Sequence, residues 1–221
     1  RAAQQAGIPY DVAYVLPADK VSIMPESHYM AFKLLFEVPT GRVLGAQAVG
    51  QGDVVRRIDV IATLITLGGT LEDLKEMELC YAPVYGTAKD VVNMAALVGL
   101  NLLNGRLRQV RTSQVRQLVE SGAFIVDVRE ADEYEAGHLN GAVNIPLSQF
   151  CQRIQEIPRD IPVYLHCRTS QRSYYAYCQL TGAGYRNIWN ISGSFLGICL
   201  YEYFTDRAEN RTPIVTAYNF N

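Results

Sequence analysis

Val163-Tyr164-Leu165-His166-Cys167-Arg168-Thr169-Ser170-Gln171-Arg172-Ser173 is the stretch on which the reading of this 221-residue chain turns. Four strand-forming residues, 163–166, deliver Cys167 to a short polar loop, and the spacing predicts a helix from Arg172. A thiol so placed faces loop N–H groups, the positive end of a helix and one or two guanidinium groups, each of which favours thiolate over thiol. Such a nucleophile needs no general base. His166 adjoins it, but successive side chains on a strand point to opposite faces, so His166 is not assigned as a base. The same cradle of donors suits an oxyanion or the terminal sulfur of a persulfide. The competing reading makes Cys167 one more buried apolar cysteine at a strand end, the common fate of the residue. The anion-suited loop weighs against it. Cys80, Cys151, Cys178 and Cys199 lack such surroundings and read as packing residues.

Outward from the loop, short apolar runs alternate with helical segments. A helix at 113–120 precedes strand 124–128, a helical piece 131–136 closed by Gly137, strand 143–145, helix 148–155, strand 163–166, helix 172–182 and strand 187–191. That alternation predicts an α/β domain with a mainly parallel sheet. The first half reads differently. Strands at 10–16, 28–37 and 43–49, the last two joined by Pro39-Thr40-Gly41-Arg42 as an antiparallel hairpin, are followed by helices from Asp53, from Thr70 and from about Asp90 to Leu103. Thr70 with Asp73 reads as a cap, and Gly68-Gly69 and Asn104-Gly105 as stops. This order predicts an α+β domain over 1–105, a polar Arg-rich step at 106–112, and a second domain over 106–221.

Composition narrows the function classes. A hydrophobic fraction of 49%, a charged fraction of 19% and a mean hydropathy of +0.01 exclude a disordered or low-complexity protein. A net charge of −2 carries no basic excess of the kind that drives nucleic-acid or membrane-surface binding. All 12 basic residues after position 105 are Arg, a weak hint of anion recognition that compositional bias explains equally well. Five dispersed cysteines with no C-x-x-C suggest neither a disulfide framework nor a zinc site and fit a reducing cytoplasm. The apolar stretch 91–103 is short for a bilayer and holds two Asn. The opening Arg-Ala-Ala-Gln-Gln-Ala-Gly has no apolar signal core and reads as the interior of a longer polypeptide.

Three motifs in order, Asp127-Val128-Arg129-Glu130 with Glu133-Tyr134, then Gly137-His138-Leu139-Asn140-Gly141-Ala142-Val143-Asn144-Ile145-Pro146, then the Cys167 loop, resemble a single-domain rhodanese over about 110–204. The resemblance implies that Cys167 becomes a persulfide and passes sulfane sulfur to a thiophilic acceptor. It also implies that Arg168, Arg172 and the N–H groups of Thr169, Ser170 and Gln171 form the anion cradle, and that Asp127, Arg129 and His138 belong to the framework. The related cell-cycle phosphatases have a seven-residue loop and the sulfurtransferases a six-residue one; Cys167 to Arg172 is six. A phosphatase and a non-catalytic docking module stand as the alternatives.

In the first half, Val43-Leu44-Gly45-Ala46-Gln47-Ala48-Val49-Gly50, Asp53 to Ile61, and Tyr81-Ala82-Pro83-Val84-Tyr85-Gly86-Thr87-Ala88-Lys89-Asp90 resemble the dimerisation domain of FAD-dependent pyridine nucleotide-disulfide oxidoreductases. Among these, the resemblance is to coenzyme A-disulfide reductases carrying a C-terminal rhodanese, and the tail 213–220 shares it. It implies a homodimer through the first domain, small sulfane donors and thiol acceptors, coenzyme A among them, and a substrate-facing role for Tyr81 or Tyr85. For the parent protein it implies FAD and NAD(P)H. No G-x-G-x-x-G follows a strand, so no dinucleotide is expected on this chain itself.

Overall fold

The computed structural model describes residues 2–220, and the chain divides after Arg106 into two compact units. The first contains a short helix α1 (Ala2–Gln5) and strands β1 (Tyr10–Val15), β2 (Met30–Glu37) and β3 (Val43–Gly50), paired antiparallel in the order β1-β2-β3. On β2, Met30, Phe32, Leu34 and Phe36 are buried while the residues between them are only partly so, the period of two that a one-sided sheet demands. Leu34 stands opposite Ala13 on β1 and Ala46 on β3. A one-residue slip would turn all four large side chains out of the core, which fixes the register.

Helices α2 (Val55–Thr66), α3 (Leu71–Glu76) and α4 (Val91–Leu103) supply Ile61, Leu64, Leu71, Leu74, Val92 and Ala96 to the same core. Each helix ends as its residues dictate. Gly68 takes φ +70 after α2. Thr70 Oγ1 accepts from the Asp73 N–H at 3.3 Å and Asp73 Oδ2 accepts from the Thr70 N–H at 2.8 Å, the reciprocal cap its sequence predicts.

The second unit contains β4 (Gln109–Val110), α5 (Val115–Glu120), β5 (Phe124–Asp127), α6 (Ala131–Glu135), β6 (Val143–Asn144), α7 (Phe150–Arg153), β7 (Val163–His166), α8 (Gln171–Gly182), β8 (Ile188–Ile191) and α9 (Ser194–Glu209). Its sheet runs β4-β8-β7-β5-β6 with every neighbouring pair parallel. The two architectures are thus α+β followed by α/β, as the sequence predicts.

Three features depart from the sequence expectation. The polar step at 106–112 contributes the edge strand β4, where Arg108 and Val110 offer carbonyls to Asn190 and Ser192. An edge tolerates polar side chains because one of its faces is open to water. The helix expected at 148–155 is a 3-10 turn (Leu147–Gln149), α7, and a second 3-10 turn (Ile154–Glu156). Pro158 drives Ile157 to φ −91, ψ 123, and the Tyr185 hydroxyl lies 2.9 Å from the carbonyls of both Ile154 and Ile157, drawing them away from a helical ladder. The longest helix, α9, is absent from the sequence reading. Its residues Ser194 to Cys199 are buried on every side, so no apolar stripe of period 3.6 marks them.

After α9 the chain returns along the unit. Val215 bridges Leu139, and Asn140 and Thr216 N–H groups donate to Ile214 and His138 carbonyls. An ionic cluster holds this return. Arg116 reaches Glu202 Oε2 at 2.6 Å and Asp206 Oδ1 at 2.6 Å, while Arg211 reaches the same two carboxylates at 3.0 and 2.9 Å. Two guanidinium groups against two buried carboxylates leave no net charge, the condition under which such burial is tolerated.

Candidate active site

Strand β7 ends at His166 and α8 starts at Gln171, so residues 167–170 form the connecting turn and Cys167 sits at its floor, 1% exposed. The turn closes because Ser170 takes φ 79, a left-handed conformation immediately before a helix, which aims successive N–H groups into one concavity. Among the described residues, no backbone N–H from Arg168 to Arg172 donates to a protein acceptor. Five polar groups at the start of a 12-residue helix are therefore free for an anion.

The back of the turn is fixed by the start of α9. The Phe195 and Leu196 N–H groups donate to the Cys167 and Arg168 carbonyls at 3.0 and 3.1 Å, and the Cys167 N–H donates to Ser194 Oγ at 3.1 Å. Ser170 Oγ lies 3.1 Å from both the Ile191 carbonyl and Ser194 Oγ. At the mouth, Arg172 forms a fork with Glu133 on α6, Nη1 to Oε2 at 2.5 Å and Nη2 to Oε1 at 2.7 Å. Glu133 holds Arg172 firmly protonated, and Arg172 in turn keeps the Glu133 carboxyl below the usual carboxylate range. Both side chains are about one third exposed, so the pair orients the cation more than it stabilises the fold.

Beneath the loop, Asp127 and Arg129 form a buried fork. Arg129 Nε lies 3.0 Å from both carboxylate oxygens, Nη2 lies 2.6 Å from Oδ2, and Nη2 also donates to the Gly137 carbonyl at 2.7 Å. The Arg129 guanidinium covers the Phe195 ring at 4.0 Å. Burial raises the Asp127 carboxyl, but His166 and Arg129 outweigh it and hold the group below its usual value. Arg129 is the permanent charge in that balance. His166 is wholly buried, which pushes its imidazole down against the pull of Asp127; its Nε2 lies 3.6 Å from Asp127 Oδ2 and its Nδ1 3.3 Å from the Cys167 carbonyl.

The loop residues expected from the sequence thus come together: Cys167, Ser170 and Arg172 by their side chains, Thr169 and Gln171 by their N–H groups. The Gln171 amide turns outward to the Tyr175 hydroxyl at 2.9 Å. The Arg168 Nη2 is buried without a hydrogen-bond partner among the described residues. Asp127 and Arg129 are buried against each other, and His138 stacks on Tyr134 with ring centroids 3.8 Å apart. Tyr81 and Tyr85 belong to the first unit, where they are 52% and 68% exposed on the turn between α3 and α4; the Tyr85 carbonyl accepts from Arg56. Two residues had no role in the sequence reading. Glu133 lay inside a quoted motif with no sign of its partner 39 positions on, and Ser194 meets Cys167 across 27 positions with no local signature.

A flavin or nicotinamide dinucleotide needs a glycine-rich turn from a parallel strand into a helix. Gly50-Gln51-Gly52 does follow a strand, but β3 is an antiparallel edge and position 55 is Val. The residues present do not fit such a group.

Residues 111–200 match the rhodanese-like domain, and residues 1–91 match the pyridine nucleotide-disulphide oxidoreductase dimerisation domain. The thiosulfate sulfurtransferase GlpE of Pseudomonas entomophila (strain L48) is 30% identical over 88 residues, covering 40% of this chain and 81% of GlpE. The solved structure of reduced Bacillus anthracis CoADR-RHD is similar with a TM-score of 0.83 at 36% identity, over 88% of this chain and 35% of that one. The NAD-dependent persulfide reductase from A. fulgidus is similar with a TM-score of 0.78 at 31% identity, over 87% of this chain and 34% of its own. This chain therefore spans about a third of the length of those two proteins. A parallel five-stranded unit with a six-residue cysteine loop, matched over four-fifths of a sulfurtransferase, identifies the chain as a member of the rhodanese family whose rhodanese-like domain is joined to a pyridine nucleotide-disulphide oxidoreductase dimerisation domain.

Proposed function

We propose that the chain is a sulfurtransferase in which Cys167 carries sulfane sulfur as a persulfide. We propose further that it serves as the sulfur-transferring and dimerising part of a flavin-dependent coenzyme A-disulfide or persulfide reductase. The observation that carries this reading is the set of unpaired N–H groups from Arg168 to Arg172 around a buried cysteine at the start of α8. In loading, the Cys167 sulfur attacks the outer sulfur of thiosulfate, an Sγ–S bond forms, and sulfite leaves with the electron pair of the broken S–S bond. The charge then rests on the outer sulfur, the position the free loop donors suit. Arg172, held by Glu133, offers a cation to the anionic donor at the mouth. A homodimer through the first domain and a thiol acceptor such as coenzyme A belong to the same proposal, supported by the match at 1–91 and by the two reductase-like solved chains.

The test is direct. Native chain incubated with thiosulfate gains the mass of one sulfur atom on the peptide holding Cys167, and transfers it to cyanide or to a thiol. Cys167→Ser abolishes both. Undiminished transfer by the Ser variant would remove Cys167 from the mechanism.

A further inference from the structure

Ser194 is wholly buried, and its backbone lies at φ 49 directly after Gly193 at φ 76. A residue with a Cβ is strained in that region and a glycine is not, so a serine held there indicates that its side chain is used. The hydroxyl accepts from the Cys167 N–H at 3.1 Å, and its own proton has two acceptors within reach: the Ile191 carbonyl at 3.4 Å and Cys167 Sγ at 4.0 Å. The Ser170 hydroxyl likewise has two, the Ile191 carbonyl and Ser194 Oγ, each at 3.1 Å.

The two protons therefore have two arrangements with the heavy atoms nearly still. In one, Ser170 donates to Ser194 and Ser194 donates to Ile191. In the other, Ser170 takes over the Ile191 carbonyl and Ser194 donates to sulfur. Each arrangement makes two hydrogen bonds. The charge on Sγ selects between them, because a thiolate is a far better acceptor than a neutral sulfur.

We propose that Ser194 is a catalytic residue of sulfur release, its hydroxyl turning to Cys167 Sγ as that atom becomes charged. The inference rests on the reading of Cys167 as the sulfur carrier. In release to cyanide, the cyanide carbon bonds to the outer sulfur, the Sγ–S bond breaks, and its electron pair stays on Sγ; thiocyanate leaves and Cys167 is a thiolate. Charge thus moves onto Sγ in release and off it in loading. A donor aimed at Sγ lowers the barrier to release and stabilises only the starting state of loading, so its removal affects the two half-reactions unequally.

Single-turnover measurement of both half-reactions in Ser194→Ala and Ser194→Gly decides the matter. Persulfide formation from thiosulfate is followed by mass, and thiocyanate formation from the loaded protein by absorbance. Release is expected to fall about tenfold or more in both variants, the worth of a hydrogen bond to a charged group. Loading at alkaline pH is expected to stay within about threefold or to quicken, and Ser194→Gly, relieved of strain, is expected to melt higher than Ser194→Ala, which lacks the same hydroxyl. Equal slowing of both half-reactions, or no slowing of release, would overturn the proposal by reducing Ser194 to a structural support. A native chain that forms no persulfide would instead remove the sulfurtransferase reading, and this inference with it.

Discussion

Replacing Arg129 by Met removes the permanent positive charge paired with Asp127 while keeping an unbranched apolar stem. Asp127 is 0% exposed, and the wild-type carboxylate accepts from Arg129 through its Nε, Nη2 and backbone N–H. The variant keeps only the backbone donor, beside an imidazole that burial pushes down. Removing one partner of a buried pair costs about 3–5 kcal/mol. With a urea dependence of about 2 kcal/mol per molar, the unfolding midpoint of the second unit should fall by about 2 M. Trp189, the single tryptophan of the chain, lies on β8 paired with Tyr164 of β7, so its emission reports that unit alone. The sign of the pH dependence follows from the native carboxyl lying below its unfolded value of about 3.9. The stabilisation is complete above that value and lost as pH falls through the folded one. In the variant, burial acts unopposed by Arg129 and the carboxyl moves up. The gap between native and variant should therefore be full near neutrality and narrow below about pH 4. Adding Asp127→Asn to Arg129→Met should restore at least half of the loss, since an amide leaves no charge buried. A single-variant loss under about 1 kcal/mol, or a double variant no better than the single, would refute the account.

Arg172→Gln leaves the Glu133 carboxylate unpaired at the loop mouth, so KM for dianionic thiosulfate should rise about tenfold and far less for an uncharged sulfane donor, read by steady-state kinetics. Gly137 takes φ +147, and a Cβ there would lie 2.5 Å from the Ala217 carbonyl oxygen. Gly137→Ala should destabilise the second unit by at least about 1 kcal/mol and expose residues 213–218 to protease, read by Trp189 emission and peptide mapping. Burial pushes the Cys199 thiol up and shields it, so iodoacetamide should label exposed Cys151 and Cys178 in the native chain while Cys199 reacts only after unfolding.

Local signals and distant contacts divide what could be read in advance. β2 announces itself by alternation, α3 by the Thr70 and Asp73 cap, and the cysteine loop by the break from an apolar strand into Arg168-Thr169-Ser170-Gln171-Arg172. Each of these is decided within a few residues. The segment 194–209 is helical for a reason that lies elsewhere: its first turns are enclosed by Arg129, Cys167 and the returning tail, and enclosure erases the amphipathic pattern that would have marked it. Glu133 shows the same limit from the other side. Its motif gives no sign of a partner, yet the guanidinium it grips, that of Arg172, lies 39 positions away.

The return of the chain after α9 bears on where the rhodanese-like module ends. The match to the rhodanese-like domain stops at residue 200, the seventh residue of the 16-residue helix. A domain trimmed to that limit would keep Arg116 and discard Glu202 and Asp206, and would leave Leu139 with no Val215 beside it. Homology thus marks the part of the module that recurs between proteins, whereas the contacts that hold it together extend to the bridge at Val215 and, through the hydroxyl that Tyr218 gives to Asp206, three residues further. Anyone transplanting this loop onto another protein must move its ending along with it.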